Sequence, residues 1–188
     1  MFQLIHGGLF KISRAAVWIG GLALMICAFM VTIDVTFRKL FGLTMSGSDE
    51  ITGYVFAAST TWAYSYTLLT RANIRIDALY NILPVKPRAF LDLIALLALL
   101  YYVYLLTGTA WEMFLDNWEY NSTAQTTLAT PLWIPQIFWV SGLAFFGLCL
   151  VFLTIYTIYA LIQRNWSLVQ SIAGVKSIEE EIEGETHA

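Results

Sequence analysis

The chain has 188 residues, of which 59% are hydrophobic and 12% are charged, and its formal net charge is -3. An average soluble protein carries roughly 25% charged residues, so this composition argues against an ordinary soluble domain. Nucleic-acid binding is also disfavoured, because the few basic residues lie at the ends of apolar segments and form no patch. The sequence therefore predicts an all-α integral membrane protein.

The first long apolar run predicts a membrane-spanning helix over residues 15–36, since about 20 apolar residues cross a bilayer. The mixed segment 1–13 before it is consistent with a short interfacial helix at the N-terminus. Asp34 and Arg38 lie one helical turn apart at the end of this span. They share a helix face, so we expect them to pair there, with Glu50 as the alternative partner of Arg38.

The second span is predicted over residues 51–70, and it is unusually rich in small and hydroxyl side chains. Asp49 and Glu50 open it, as suits the positive end of a helix dipole. A small residue recurs at every fourth position, which in lipid favours close helix contact. The alternative is chance recurrence in a helix rich in Ser and Thr. If the recurrence serves close helix contact, this helix is the most buried of the bundle. The stripe of small residues consists of Gly53, Ala57, Thr61 and Ser65.

A basic loop over residues 70–88 follows the second span. Loops that are rich in Lys and Arg are expected on the cytoplasmic side of a membrane. Counted by side, eight of the ten basic residues then lie inside, which places both termini in the cytoplasm. Within this loop Arg75 and Asp77 are predicted to pair.

The third and fourth spans are predicted over residues 91–111 and 133–163. The segment 112–130 between them has three acidic residues and no basic ones, so we expect it outside. Pro131 and Pro135 place the start of the fourth helix near Trp133, because proline is tolerated only in the first turn. Residues 1–166 are thus predicted to form one four-helix transmembrane domain, and residues 167–188 an acidic cytoplasmic tail.

The chain lacks the residues of most catalytic sites. Its two histidines, His6 and His187, lie near the termini, so a haem held by histidines inside the bundle is excluded. Metalloprotease, serine-hydrolase and phosphate-loop motifs are absent from the sequence. We therefore expect no catalytic, cofactor or metal site and no enzyme activity. The two cysteines, Cys27 and Cys149, lie in apolar runs and are predicted to be free buried thiols.

Four motifs in order resemble the small membrane subunit of tripartite ATP-independent periplasmic (TRAP) transporters. They are VTFRKLFG at 35–42, SDE at 48–50, RANIRID at 71–77 and TPLWIP at 130–135. The likeness runs from the first span to the last. One departure is Asn73, where the family often has histidine.

This resemblance implies a location in the bacterial inner membrane and two partners. They are a large multi-helix permease subunit and a periplasmic substrate-binding protein. In that family a sodium gradient drives uptake of an organic acid, and the ion and substrate sites belong to the large subunit. The small subunit is thought to be a fixed scaffold surrounded by membrane lipid. The residues singled out above would then have structural or interface roles.

Two other functions remain open from the sequence. One is a small self-contained exporter that works as a homodimer with Asp34 as its proton site. It is disfavoured because Asp34 lies at the end of a span beside Arg38, and no Asp, Glu, Lys or Arg lies near the centre of any span. The other is a membrane anchor for an unrelated enzyme.

Overall fold

A computed structural model describes residues 2–72 and 83–174 of the chain. These residues form five α-helices and no strand beyond an isolated bridge between Thr123 and Pro131, which confirms the predicted all-α class. The helices are α1 (Phe2–Phe41), α2 (Ser48–Leu69), α3 (Val85–Glu119), α4 (Trp133–Ile162) and α5 (Trp166–Ala173).

Three of the helices, α1, α3 and α4, are long and apolar enough to cross a membrane. They contain 40, 35 and 30 residues. At 1.5 Å per residue they extend about 60, 52 and 45 Å, against roughly 30 Å for the hydrocarbon core. Helix α2 has 22 residues, about 33 Å, but its Ser, Thr and Tyr side chains lower its hydropathy and it is not among the three.

The N-terminal segment differs from its prediction. A separate interfacial helix before residue 15 is wrong, because α1 runs unbroken from Phe2. Its first turns pack onto the bundle instead of lying apart. The Phe2 ring stacks on Tyr156 at 4.7 Å between centroids, and Phe10 contacts Tyr66 at 5.7 Å. The helix thus continues through Lys11 and Arg14, the basic residues that precede the predicted span.

The long helices pack side by side in the order α1, α2, α4, α3. Helix α4 lies between α2 and α3, and it contributes ten buried residues against five from α2. The expectation that the second span would be the most buried is therefore wrong. Its hydroxyl side chains make local contacts, whereas α4 packs apolar side chains on two neighbours, among them Leu143, Leu150 and Leu153.

Helix α3 starts earlier and ends later than predicted, at Val85 and Glu119. Pro87 does not break it, because the first turn of a helix needs no amide hydrogen at that position. Helix α5 packs on the ends of α3 and α4 through Val169 and Ala173, both buried. Residues 167–173 are thus a packed helix and not the start of a solvated tail. The acidic residues 179–185 lie outside the described part of the chain.

Candidate functional site

The connection between α1 and α2 is held by one buried carboxylate, that of Asp34, which is 2% exposed. It accepts hydrogen bonds from the Arg38 guanidinium and from the backbone N–H of Met45. The hydroxyls of Thr44 and Ser48 donate to it at 3.3 Å each. The predicted pair of Asp34 and Arg38 is therefore present, and the same carboxylate joins the end of α1 to the start of α2.

Glu50 takes a different partner from the one considered for it. Instead of pairing with Arg38, it accepts hydrogen bonds from the Thr126 hydroxyl and, at 2.7 Å, from the Tyr54 hydroxyl. These two donors, Thr126 first, hold the pKa of the Glu50 carboxyl below its ordinary value. Since Thr126 belongs to the connection between α3 and α4, Glu50 ties that connection to the first turn of α2. Asp49, beside it, is exposed.

The two connections at this end of the bundle also pack directly on each other. Gly47 has φ 92°, a left-handed conformation that favours glycine. A Cβ built there would lie 2.2 Å from Cδ1 of Leu128, so the Leu128 side chain covers the glycine backbone. The second connection is closed by backbone bonds from Ala124 N–H to Thr130 C=O and from Leu132 N–H to Ser122 C=O, both 2.9 Å. We call residues 42–50 and 120–132 together the loop cap.

Helix α2 approaches both of its neighbours closely, each time at a glycine. A Cβ at Gly20 of α1 would lie 3.0 Å from Cβ of Ser59, and one at Gly142 of α4 would lie 2.4 Å from Oγ1 of Thr61. The Ser59 hydroxyl donates to the Gly20 carbonyl at 3.4 Å. Small residues allow such approach in lipid, where packing rather than hydrophobicity drives helix association.

The stripe of small residues on α2 divides into two halves. Thr61 and Ser65 are buried, and Thr61 is the residue that meets α4. Ala57 is half-buried, and Gly53 is exposed with no atom within 4 Å of a built Cβ. The close contact therefore involves the half of the stripe nearer the C-terminus of α2.

Trp62 adds a polar contact that the sequence did not predict. Its indole Nε1–H donates to the Phe138 carbonyl at 3.1 Å, and its ring stacks on Phe145 with centroids 5.2 Å apart. The Phe138 carbonyl, in the second turn of α4, also accepts from the Ser141 hydroxyl at 2.8 Å, so it bonds side-chain donors from both helices. A tryptophan within a helix of small side chains was the available signal, because its N–H needs a partner in an apolar setting.

At the opposite end of the bundle, Arg71 Nη1 donates to the Gln170 carbonyl at 3.2 Å, which joins the end of α2 to α5. Asp92 is buried in α3 at 2% exposure and was not singled out from the sequence. The predicted pair of Arg75 and Asp77 lies outside the described residues.

A family model described as Tripartite ATP-independent periplasmic transporters, DctQ component, matches residues 27–164. The match covers 138 of the 188 residues, well over half of the chain. The chain belongs to the DctQ family. No curated protein and no solved structure matches it.

Membership of the DctQ family confirms two predictions. The chain is a component of a TRAP transporter, resident in a membrane, and it is not an enzyme. The matched residues include the whole loop cap and the contacts of α2 with α4.

The described residues of this DctQ chain contain no group of three or more His, Cys, Asp or Glu that could hold a metal ion. Cys27 and Cys149 are buried and unpaired. An apolar groove of about 690 Å³ lies between α1, α2 and α4. Its polar side chains bond within the chain, since Tyr54 donates to Glu50, Ser59 to Gly20 and Trp62 to Phe138.

Proposed function

We propose that this chain is the small subunit that scaffolds the large permease subunit of a TRAP transporter in the bacterial inner membrane. Together they would import an organic acid that a periplasmic binding protein delivers, driven by a sodium gradient. The small subunit itself binds neither the acid nor sodium. Family membership supports a role as a TRAP transporter subunit. The contacts of the loop cap support a structural role for this chain beside a large subunit that carries out transport.

The observation that carries this proposal is the state of Asp34. It is the one acidic residue of α1, and four donors of the same chain bond to its oxygens. A proton or sodium ion would have to displace the Arg38 guanidinium and the Met45 N–H to reach it. Carboxylates that carry ions through membranes need to exchange partners. Asp34 is thus suited to hold the α1–α2 connection, which disfavours the exporter that uses it as a proton site.

The loop cap and the glycine contacts also suit a part that stays rigid while another moves. Glu50 and Gly47 each join the two connections, and α2 is closely packed on both sides. A packed core resists continuous deformation, because even small voids or overlaps cost free energy. The side chains that we assign to this structural role are Asp34, Arg38, Asp49, Glu50, Gly53, Ala57, Thr61 and Ser65, with Arg75 and Asp77 in the basic loop.

For topology, we propose that α2 is the fourth span and that both termini lie in the cytoplasm. Helix α2 is about 33 Å long, enough for the hydrocarbon core, and α1 and α4 on either side of it shield its hydroxyls. The distribution of Lys and Arg supports a periplasmic position of the loop cap.

Identification of the chains that co-purify from native membranes tests this function. We expect a large multi-helix permease subunit in near-equal amount, and its recovery should fall in the Arg38→Glu variant. Lys39→Glu, at an exposed neighbour, is the matched control. Recovery of the chain only with itself would support the exporter, and recovery with a soluble enzyme would support the anchor. Either result would overturn the proposal.

A further inference from the structure

A polar pocket of about 480 Å³ lies at the end of the bundle opposite the loop cap. It is formed by the first two turns of α1, the end of α2, the last third of α4, and α5. We call it the Arg71 pocket. No Asp or Glu lines it, and its polar lining residues are Gln3, His6, Thr70, Arg71 and Ser171.

The guanidinium of Arg71 is held at this pocket by its backbone and by one hydrogen bond. Arg71 follows the end of α2 with φ 55°, a left-handed conformation typical of the residue after a helix. Its Nη1 donates to the Gln170 carbonyl of α5 at 3.2 Å, which orients the side chain. A guanidinium is planar, stays ionised and matches the oxygens of a phosphate group. The pocket therefore contains a fixed positive charge suited to an oxyanion.

Two side chains of α1 bring further donors to the Arg71 pocket. The Gln3 amide and the His6 imidazole make no hydrogen bond with any described residue. An amide donates through its NH2 group, and an imidazole has at least one N–H in each protonation state. The hydroxyls of Thr70 and Ser171 differ, since they donate to carbonyls of their own helices. Gln3 and His6 are thus the neutral donors that an anion beside Arg71 can meet.

Charge is divided between the two halves of the bundle. Of the seven acidic residues in the described part of the chain, Asp92 alone lies in the half that contains the Arg71 pocket, and it is buried. Gln3 also lies in the first turn of α1, at the positive end of the helix dipole. This half therefore attracts anions. It holds six of the eight described basic residues, which are Lys11, Arg14, Arg71, Lys86, Arg88 and Arg164.

The rest of the Arg71 pocket is apolar, which bears on the kind of anion that fits. Its apolar lining comes from Leu69, Tyr156, Leu168 and Ile172. A phospholipid presents a phosphate group beside apolar chains, so it can contact both kinds of wall. Basic pockets between membrane helices on the cytoplasmic side are known to bind anionic headgroups. On the topology proposed above, this end of the bundle is the cytoplasmic one.

We propose that the Arg71 pocket binds the phosphate group of an anionic ligand. The guanidinium of Arg71 contacts the phosphate oxygens, and the side chains of Gln3 and His6 donate to them. The headgroup of an anionic phospholipid and a free phosphate share this chemistry. The bound phosphate joins the start of α1 to the end of α2 and to α5. The site consists of residues of this chain, so its binding can be measured independently of transport.

Isothermal titration calorimetry of the purified full-length chain in neutral detergent tests this site. The probes are inorganic phosphate, short-chain phosphatidylglycerol and, as the control without net charge, short-chain phosphatidylcholine. We expect at least one anionic probe to bind saturably and severalfold more tightly than phosphatidylcholine. Binding of phosphatidylglycerol alone would identify a lipid headgroup as the ligand, and binding of inorganic phosphate would show that the phosphate group suffices. Saturable binding of neither anionic probe, or equally tight binding of phosphatidylcholine, would overturn the proposal.

Two variants locate the binding within the chain. Gln3→Glu adds a negative charge to the Arg71 pocket at almost unchanged size, so it should weaken binding of the anionic probe severalfold. Gln163→Glu is the matched control, because Gln163 is exposed at the same end of the bundle but outside the pocket. It should leave the affinity unchanged. Equal affinities of the two variants would place the ligand elsewhere and overturn the proposal.

Arg71→Gln removes the charge itself and should weaken binding of the anionic probe as well. This variant also loses the bond from Arg71 to Gln170, so its Tm is measured beside its affinity. If it does not fold, Gln3→Glu still decides the question, since Gln3 is exposed and makes no hydrogen bond with the described residues. A folded Arg71→Gln variant with unchanged affinity would contradict the proposed site.

Discussion

Thr61 and Gly142 mark the closest approach of α2 and α4: a Cβ at Gly142 would lie 2.4 Å from Thr61 Oγ1 and 2.8 Å from Trp62 Cδ1. Real Cβ contacts are longer, so a side chain at Gly142 forces Thr61, Trp62 or the helices themselves to shift. This contact joins the α1–α2 pair to the α3–α4 pair, and it makes the strongest prediction about stability.

Gly142→Ala should destabilise the protein by about 1–3 kcal/mol, as overpacking in a filled core does. Thermal unfolding in detergent would show this as a lower Tm. Gly53→Ala is the control, because a Cβ at Gly53 meets nothing within 4 Å and alanine favours the helix. An equal loss of Tm in both variants would show that the effect comes from the helix backbone and not from the contact with Thr61.

Asp34→Asn should lower the Tm more than Asp49→Asn. The first substitution keeps the size of the side chain but removes the charge that the Arg38 guanidinium and the Met45 N–H both meet. Asp49 follows Ser48, whose hydroxyl donates to Asp34. Asp49 itself is exposed, so removal of its charge should change the Tm little. Thermal unfolding of both variants in the same detergent provides the measurement. Similar Tm values would mean that the α1–α2 connection does not depend on Asp34.

Stability should fall with acidification partly through Glu50. Because the folded state lowers the pKa of Glu50, its contribution is present above the ordinary value of 4.5 and is lost as pH falls through the folded pKa. Between pH 5 and pH 3, the Tm of the unmodified chain should therefore fall more steeply than the Tm of Glu50→Gln. The difference between the two curves reports the stability that the Glu50 carboxylate contributes. Parallel curves for the two proteins would argue that the bonds from Thr126 and Tyr54 do not stabilise the fold.

The proposed topology predicts opposite labelling of two loops. Single cysteines at Ala72 and Gln125, both exposed, are introduced into a chain that lacks Cys27 and Cys149. In intact cells an impermeant thiol reagent should label Gln125→Cys and leave Ala72→Cys unlabelled until the membrane is opened. The reverse pattern would place the loop cap in the cytoplasm.

The sequence was sufficient for features that depend on local pattern. The start of α4 at Trp133 follows from the prolines around it, and the Asp34–Arg38 pair follows from helical spacing. The N-terminal boundary of α1 was predicted at residue 15, where the long apolar run begins, but the helix starts at Phe2. The first turns of α1 pack on the bundle, for example Phe2 on Tyr156, and such contacts between distant parts of the chain have no local sequence signal.

Contacts between the two connections could not be predicted in the same way. Nothing in the residues around Gly47 indicates that Leu128 covers it, and nothing around Glu50 points to Thr126. Both depend on how α2 and α4 cross. The burial of α4 was likewise hidden, because an apolar helix has the same sequence pattern whether it faces lipid or protein.

Uptake by reconstituted liposomes tests most directly whether this chain supports transport without performing it. The large permease subunit and its loaded binding protein are reconstituted with and without this chain, and this chain is also reconstituted alone. We predict saturable uptake of the organic acid under a sodium gradient only when all components are present, and none from this chain alone under a sodium or proton gradient. Saturable, gradient-driven uptake by the purified chain alone would contradict the scaffold function.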